Sequence, residues 1–177
     1  MLDPRQEELY RAWCAETARC HHVPPRASFD PVDFPRCLPT LVIYEFTKDD
    51  AVRLRLVGTE IAQVWGSDYT GRCLHEFMDG DYHDFIRGHI DQCRAERVPL
   101  FSHSRFQWDR GRALDTRRLL LPYADNEKPE RIGFVLLSQV FDYDKTGPSF
   151  PLVRLGSGFD FFELDRKVLT QHGAAAP

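Results

Sequence analysis

The side chains able to do chemistry in this chain are five cysteines, Cys14, Cys20, Cys37, Cys73 and Cys93, seven histidines, and a group of arginines between positions 105 and 118. Cys14, Cys20, His21 and His22 are close enough to be drawn as a metal site. Zinc sites use tightly paired cysteines, though, whereas here five residues separate the two and no second pair follows. A polar cluster at a helix end is the better reading. Arg105, Arg110, Arg112, Arg117 and Arg118 gather around Asp109-Arg110-Gly111. They could receive a phosphate-bearing ligand or an acidic partner, but the favoured reading is solvated charge that discourages strand pairing at an edge. His83 and Asp84 are neighbours, and neighbours on a helix point in different directions. There is no phosphate-binding glycine loop, no nucleophile elbow and no histidine pair at metal-ligand spacing. Catalysis is not expected.

The elements that position these residues follow from composition and period. The chain has 177 residues, 42% hydrophobic and 28% charged, with a net charge of −4. That is one domain with a real core and extra sequence at both ends. No run approaches the length of a membrane span, and Met1 to Leu9 has no apolar signal segment. The expected location is cytoplasmic. An odd, irregularly spaced set of cysteines in a chain of this size reads as reduced thiols. Net acidity argues against nucleic acid as a partner.

Residues from about Arg5 to Cys20 have helical composition, started by Asp3-Pro4, with Leu9 and Trp13 on an apolar stripe. Five prolines between Pro24 and Pro39 forbid a long helix or central strand, yet Phe29, Val32, Phe34 and Leu38 recur among them. The segment reads as an ordered lead-in laid over the domain. Strands are expected at Leu41–Phe46 and Val52–Val57. Short helices follow over about 60–78, with Thr59 as a cap and Gly66 as a stop. From Asp81 to Arg97, residues Tyr82, Phe85, Ile86, His89, Ile90 and Cys93 share one helical face. Three more strands are expected at about Val98–Trp108, Ala113–Pro122 and Arg131–Phe141. The last is apolar on both alternating faces, as a central strand covered on both sides must be. The cover is the N-terminal helix or a second subunit.

Two strands, a block of helices and three strands give an α+β domain with one five-stranded antiparallel sheet, short helices and one long helix on one face, and an N-terminal capping helix. The expected organisation is a helix and proline-rich lead-in at 1–40, a core at 41–142 and a tail at 143–177. The tail carries the aromatic knot Phe159-Asp160-Phe161-Phe162-Glu163-Leu164.

The chain resembles a bacterial family of small, mostly stand-alone PAS-fold proteins. The resemblance rests on the lead-in from Pro25 to Pro35 with Leu38-Pro39, on Arg55-Leu56-Val57-Gly58-Thr59, on the turn from Gly66 to Gly71, and on Leu120-Leu121-Pro122. Ser28 and Tyr69 depart from the pattern, and Tyr69 bears on the pocket. The resemblance implies a sensory or regulatory module with a cavity between the inner sheet face and the short helices. That cavity is expected to be lined by Trp65, Tyr69, Phe77, Phe85 and His89 with Phe106 and Ser138 from the sheet. The competing reading is that these aromatics simply fill the core.

Haem-binding PAS domains use a helical histidine, which makes His89 a candidate axial ligand, but a hydrogen-bonded core histidine is the commoner case and the sequence argues against haem. It argues more strongly against flavin. Gly71-Arg72-Cys73-Leu74-His75-Glu76-Phe77 lacks the Asn, Arg and Gln of the light-sensing motif Gly-x-Asn-Cys-Arg-Phe-Leu-Gln, and its cysteine stands one place early. Cys73 reads instead as a small core residue.

The expected function is therefore a non-catalytic sensor or adaptor. It binds a small apolar ligand, a protein partner or both, and signals through protein contacts to a still unidentified signalling protein. The Leu9 and Trp13 stripe, with the apolar outer sheet face, predicts a homodimer. Two alternatives are a pure interaction module with a filled core and a small-molecule enzyme using the pocket.

Overall fold

The structure is a computed structural model, and it describes residues 1–108, 112–142 and 160–170. The Asp109-Arg110-Gly111 turn and the tail segments 143–159 and 171–177 lie outside the described residues.

Helix α1 spans Pro4–Cys20. Asp3 begins it as a capping box: its carboxylate accepts from Arg5 N, the Gln6 side chain returns to Asp3 N, and Pro4 occupies the first turn. The chain leaves at His21 in a left-handed conformation. The lead-in that follows is built of three 3-10 turns, Arg26–Ser28, Pro31–Asp33 and Leu38–Thr40. Such short turns suit a segment where proline repeatedly removes a backbone donor.

Strands β1 (Leu41–Phe46) and β2 (Val52–Val57) form a hairpin, and α2 (Thr59–Trp65) comes next. Its N-cap is Gly58 with no side-chain cap, so Thr59 is the first helical residue rather than the expected capping one. Gly58 is required for another reason: a Cβ there would lie 2.4 Å from the carbonyl oxygens of Leu38 and Pro39. The lead-in is thus pressed onto the β2–α2 junction at a point where only glycine fits. Gly66, at φ 79°, ends α2. A 3-10 turn at Leu74–Glu76 precedes α3 (Gly80–Glu96). Strands β3 (Leu100–Trp108), β4 (Arg112–Ala124), β5 (Ile132–Asp142) and β6 (Asp160–Val168) complete the fold.

The sheet is antiparallel in the order β2-β1-β5-β4-β3-β6. Among the described residues it has six strands where five were expected. The sixth comes from the region read as tail and pairs with β3 from Leu100↔Val168 to Gln107↔Asp160, with a bulge between His103 and Ser104.

β5 is buried along nearly its whole length, as a covered central strand requires. Helix α3 packs on one face. On the other lie α1 and the lead-in: Trp13 Nε1 donates to Pro122 O at 2.8 Å, Gln6 Nε2 donates to Ser138 O and Arg117 O, and Phe29 packs on Tyr123. Leu9 and Trp13 are 1% and 3% exposed. The expectation that they offer a surface to a second subunit is corrected, because this chain's own sheet uses them.

Candidate functional site

Strand pairing decides which residues look toward α3. On β4, Arg118 stands opposite Ser102 of β3 and Gln139 of β5, and Thr116 stands opposite Ser104. Opposed residues share a face, so Ser102, Ser104, Thr116, Arg118 and Gln139 form one polar patch at the centre of the inner sheet face. All five are buried. Arg118 is only 1% exposed. Its Nη1 donates to Ser104 Oγ at 2.6 Å, and its Nη2 donates to the Tyr82 hydroxyl of α3 at 3.4 Å. Its guanidinium carbon lies 5.7 Å from the ring centres of both Phe85 and Phe106.

Among the described residues no carboxylate pairs with Arg118, and its Nε–H has no acceptor. The hydroxyls of Ser102, Thr116 and Tyr44, which face the same way, are buried and also without partners. Burial pushes the Tyr44 phenol well up, and the Arg118 charge opposes that shift. Buried polar atoms are normally paired. Among the described residues, four atoms on this one patch, one of them on a guanidinium, depart from that rule.

His89 borders this patch from α3. Nδ1 lies 2.7 Å from Phe85 O, and Nε2 lies 2.9 Å from Glu163 Oε1 on β6. Burial pushes its pKa down to about 4, while the acceptor at Phe85 O raises it and the charges of Arg118 and Arg166 lower it further. Burial raises the Glu163 carboxyl, but Arg166 and His89 outweigh that and hold it below its usual range. Phe161 of β6 packs on Tyr82 and Phe85, so β6 closes this side of the inner face.

A fold of this order, with this inner face, has a match in the sequence itself: the family model for the PAS domain matches residues 1–137. The chain belongs to the PAS domain family. It is a non-catalytic sensory or regulatory domain that works through ligand contacts, protein contacts or both. Comparison with curated proteins gives no match. Among solved structures, a Rhodobacter sphaeroides LOV protein is 15% identical, covering 64% of this chain and 68% of its own with a TM-score of 0.42. The PAS domain of Bordetella pertussis BvgS is 16% identical, covering 66% and 90%, at 0.37. A light-oxygen-voltage domain studied with a flavin analogue is 12% identical, covering 65% and 85%, at 0.44. The expectation against a flavin is corrected: structures of light-oxygen-voltage type are among those this chain matches.

The residues expected to line the pocket fall into two aromatic groups. Trp65, Tyr69 and Phe77 stack together near α2, with Tyr69 and Phe77 centred 4.0 Å apart. Phe85 and His89 gather with Tyr82 and Phe161, and Phe106 joins them through Tyr82. Ser138 belongs to neither. Its hydroxyl meets Thr40 Oγ1 at 3.4 Å, and it pairs with Leu119, so it lies on the α1 side of the sheet. Its neighbour Gln139 takes the inner position.

Arg105 and Arg117 do reach solvent, paired with Asp115 and Asp142, but on the interior strands β3 and β4 rather than at an edge. Arg118 does not, and the sequence reading that grouped it with them is corrected. The signal was present in strand parity, since Thr116, Arg118 and Leu120 alternate with Arg117, Leu119 and Leu121. Cys73 is half-buried at the start of the Leu74–Glu76 turn, where its N–H donates to Glu76. Among the described residues no three His, Cys, Asp or Glu side chains converge as a metal site. Among them, too, no helix is long and apolar enough to cross a membrane.

Proposed function

We propose that this PAS domain is a cytoplasmic regulator that binds a small molecule between its inner sheet face and α3, and passes the change to a signalling partner, which in the symmetric case is a second copy of itself. The observation that supports the ligand over a filled core is the set of buried, unpartnered polar atoms of Tyr44, Ser102, Thr116 and Arg118. A core serving only as a packing unit gains nothing from them, because each costs on the order of 1–3 kcal/mol unpaired. The expected small apolar ligand is replaced in this proposal by one with a polar end. The candidate site is Arg118 with Phe85, His89 and Phe106. Trp65, Tyr69 and Phe77 form a second wall. The proposed core unit is 41–142 with β6 added to its edge.

α3 is the element through which such a ligand would be felt, since it carries Tyr82, Phe85 and His89 against the patch and reaches β6 through Glu163. A ligand shifts the domain only if it prefers one arrangement of these elements over another. Native mass spectrometry and an absorbance spectrum of the full chain, purified without denaturation, test the reading. A retained mass or chromophore removed by unfolding is expected. A clean apo mass, with no thermal shift from any small molecule, would overturn it, and light scattering of the same sample reads the oligomeric state.

A further inference from the structure

The inner-face patch has a charge that no carboxylate among the described residues answers. Arginine carries five N–H donors and no acceptor. In Arg118 the Nη1 side is held by Ser104, which fixes the plane of the group. The opposite edge, Nε with Nη2, has only the long contact to Tyr82. That edge is the one by which a guanidinium takes a carboxylate through two parallel hydrogen bonds. The hydroxyls of Ser102 and Thr116 stand on the same two strands without partners, and each can donate to an oxygen. Water alone would leave an unneutralised charge 99% buried between two aromatic rings, and an isolated buried charge costs several kcal/mol.

We infer that Arg118 anchors a small monocarboxylate, its carboxylate on the Nε–Nη2 edge and its short apolar or aromatic body among Phe85, Phe106 and the residues of α3. This inference rests on the ligand-binding reading above and specifies its ligand. A single charge is favoured because, among the described residues of the patch, the Arg118 guanidinium is the one cation with no carboxylate beside it: Arg166 is committed to Glu163, and the His89 ring faces that same carboxylate. A phosphate dianion would keep one charge uncompensated in this setting. The apolar body follows from the Phe85 and Phe106 rings, each centred 5.7 Å from the guanidinium carbon.

The test uses the full chain in calorimetric titrations with benzoate, phenylacetate and hexanoate, each beside its primary amide, and with inorganic phosphate and flavin mononucleotide. At least one acid is expected to bind saturably, and its amide at least about 30-fold more weakly, the size of a hydrogen-bonded charge contact. R118Q, checked for native circular dichroism, is expected to lose that acid by a similar factor and its amide by much less, so that the preference for acid over amide collapses. R118K keeps the charge but not the fork, and serves if R118Q fails to fold; its preference for acid over amide should drop about tenfold. Equal binding of acid and amide, or an unchanged preference in R118K, overturns the carboxylate assignment and leaves ligand binding standing. Tighter binding of phosphate or of the flavin overturns it in the same way. Binding by none of the probes overturns it too, and the native mass of the purified chain then decides separately whether any ligand is held.

Discussion

His89 Nε2 lies 2.9 Å from Glu163 Oε1, joining the middle of α3 to a strand seventy-four positions further along the chain. The same carboxylate takes two hydrogen bonds from Arg166, and Arg166 reaches back to Gln92 of α3. β6 is thus held to β3 by its backbone and to α3 by its side chains. Movement of α3 on the sheet must either carry β6 with it or break this network. The edge strand is the visible route from the inner face to the surface, where Phe162 and Leu164 are both 49% exposed.

The His89 contact carries a pH signature. Its pKa falls from 6.5 to about 4 in the folded chain, so as pH drops the unfolded chain takes up this proton first. The contribution to stability is whole above pH 6.5 and is lost progressively as pH falls toward 4. Integrated over that window, stability should fall by about 2 kcal/mol between pH 7 and pH 5. Urea melts at the two pH values read this directly, with an unchanged m-value. H89Q should flatten the dependence. A slope of the same size in H89Q would mean that another group carries it.

Gly58→Ala tests the seating of the lead-in. The added methyl would meet two backbone carbonyls at 2.4 Å, and backbone cannot swing aside as a side-chain tip can. The backbone angle at this glycine suits any residue, so the whole effect is steric. A loss of about 1–3 kcal/mol is expected, the range for overpacking, with Pro39 and its neighbours displaced. An unperturbed melting temperature would show that the 38–40 turn is not pressed on this junction.

Trp13 tests the role of α1. Its ring is buried on the outer face and its indole N–H reaches Pro122 O. Trp13→Ala should cost about 3–5 kcal/mol by cavity formation. Trp13→Phe keeps most of the apolar area and loses the hydrogen bond, so about 1 kcal/mol is expected. If α1 serves mainly as this chain's own cover, W13A should also expose the outer face and promote association at raised concentration. Full stability in W13A would return the stripe to the role of a partner surface.

Much of the architecture is legible from period alone. Leu41–Phe46 and Val52–Val57 match the observed strands end to end, and Asp3-Pro4 announces α1 through its cap. What fails is phase. β4 and β5 are buried on both faces, so nothing in their hydrophobicity says which parity faces α3, and a slip of one residue exchanges the faces. Ser138 for Gln139, and Arg118 read as surface, are the same error made on neighbouring strands. β6 escapes for another reason. Its residues are mostly charged, its partner β3 is fifty or more positions earlier, and Phe161 and Phe162 look like a knot until pairing with Phe106 and Arg105 separates them to opposite faces.

Arg118→Met separates a strut from a binding group. If Arg118 held the fold together, its loss would destabilise the chain by the usual cost of breaking a buried network, about 3–5 kcal/mol. A residue kept for a ligand behaves the other way in the ligand-free protein. Methionine fills a similar volume between Phe85 and Phe106 without a desolvated charge, and removes the unpaired Nε–H. Against this stand the bond to the Ser104 hydroxyl and the longer one to the Tyr82 hydroxyl, both lost with the guanidinium, at about 1 kcal/mol each at most. The ligand-free variant should therefore be as stable as the parent or more stable by about 1–2 kcal/mol. Denaturant melts on chains stripped of ligand by unfolding and refolding give the comparison. A large loss in R118M would make Arg118 a structural residue and remove the reason to place a ligand against it.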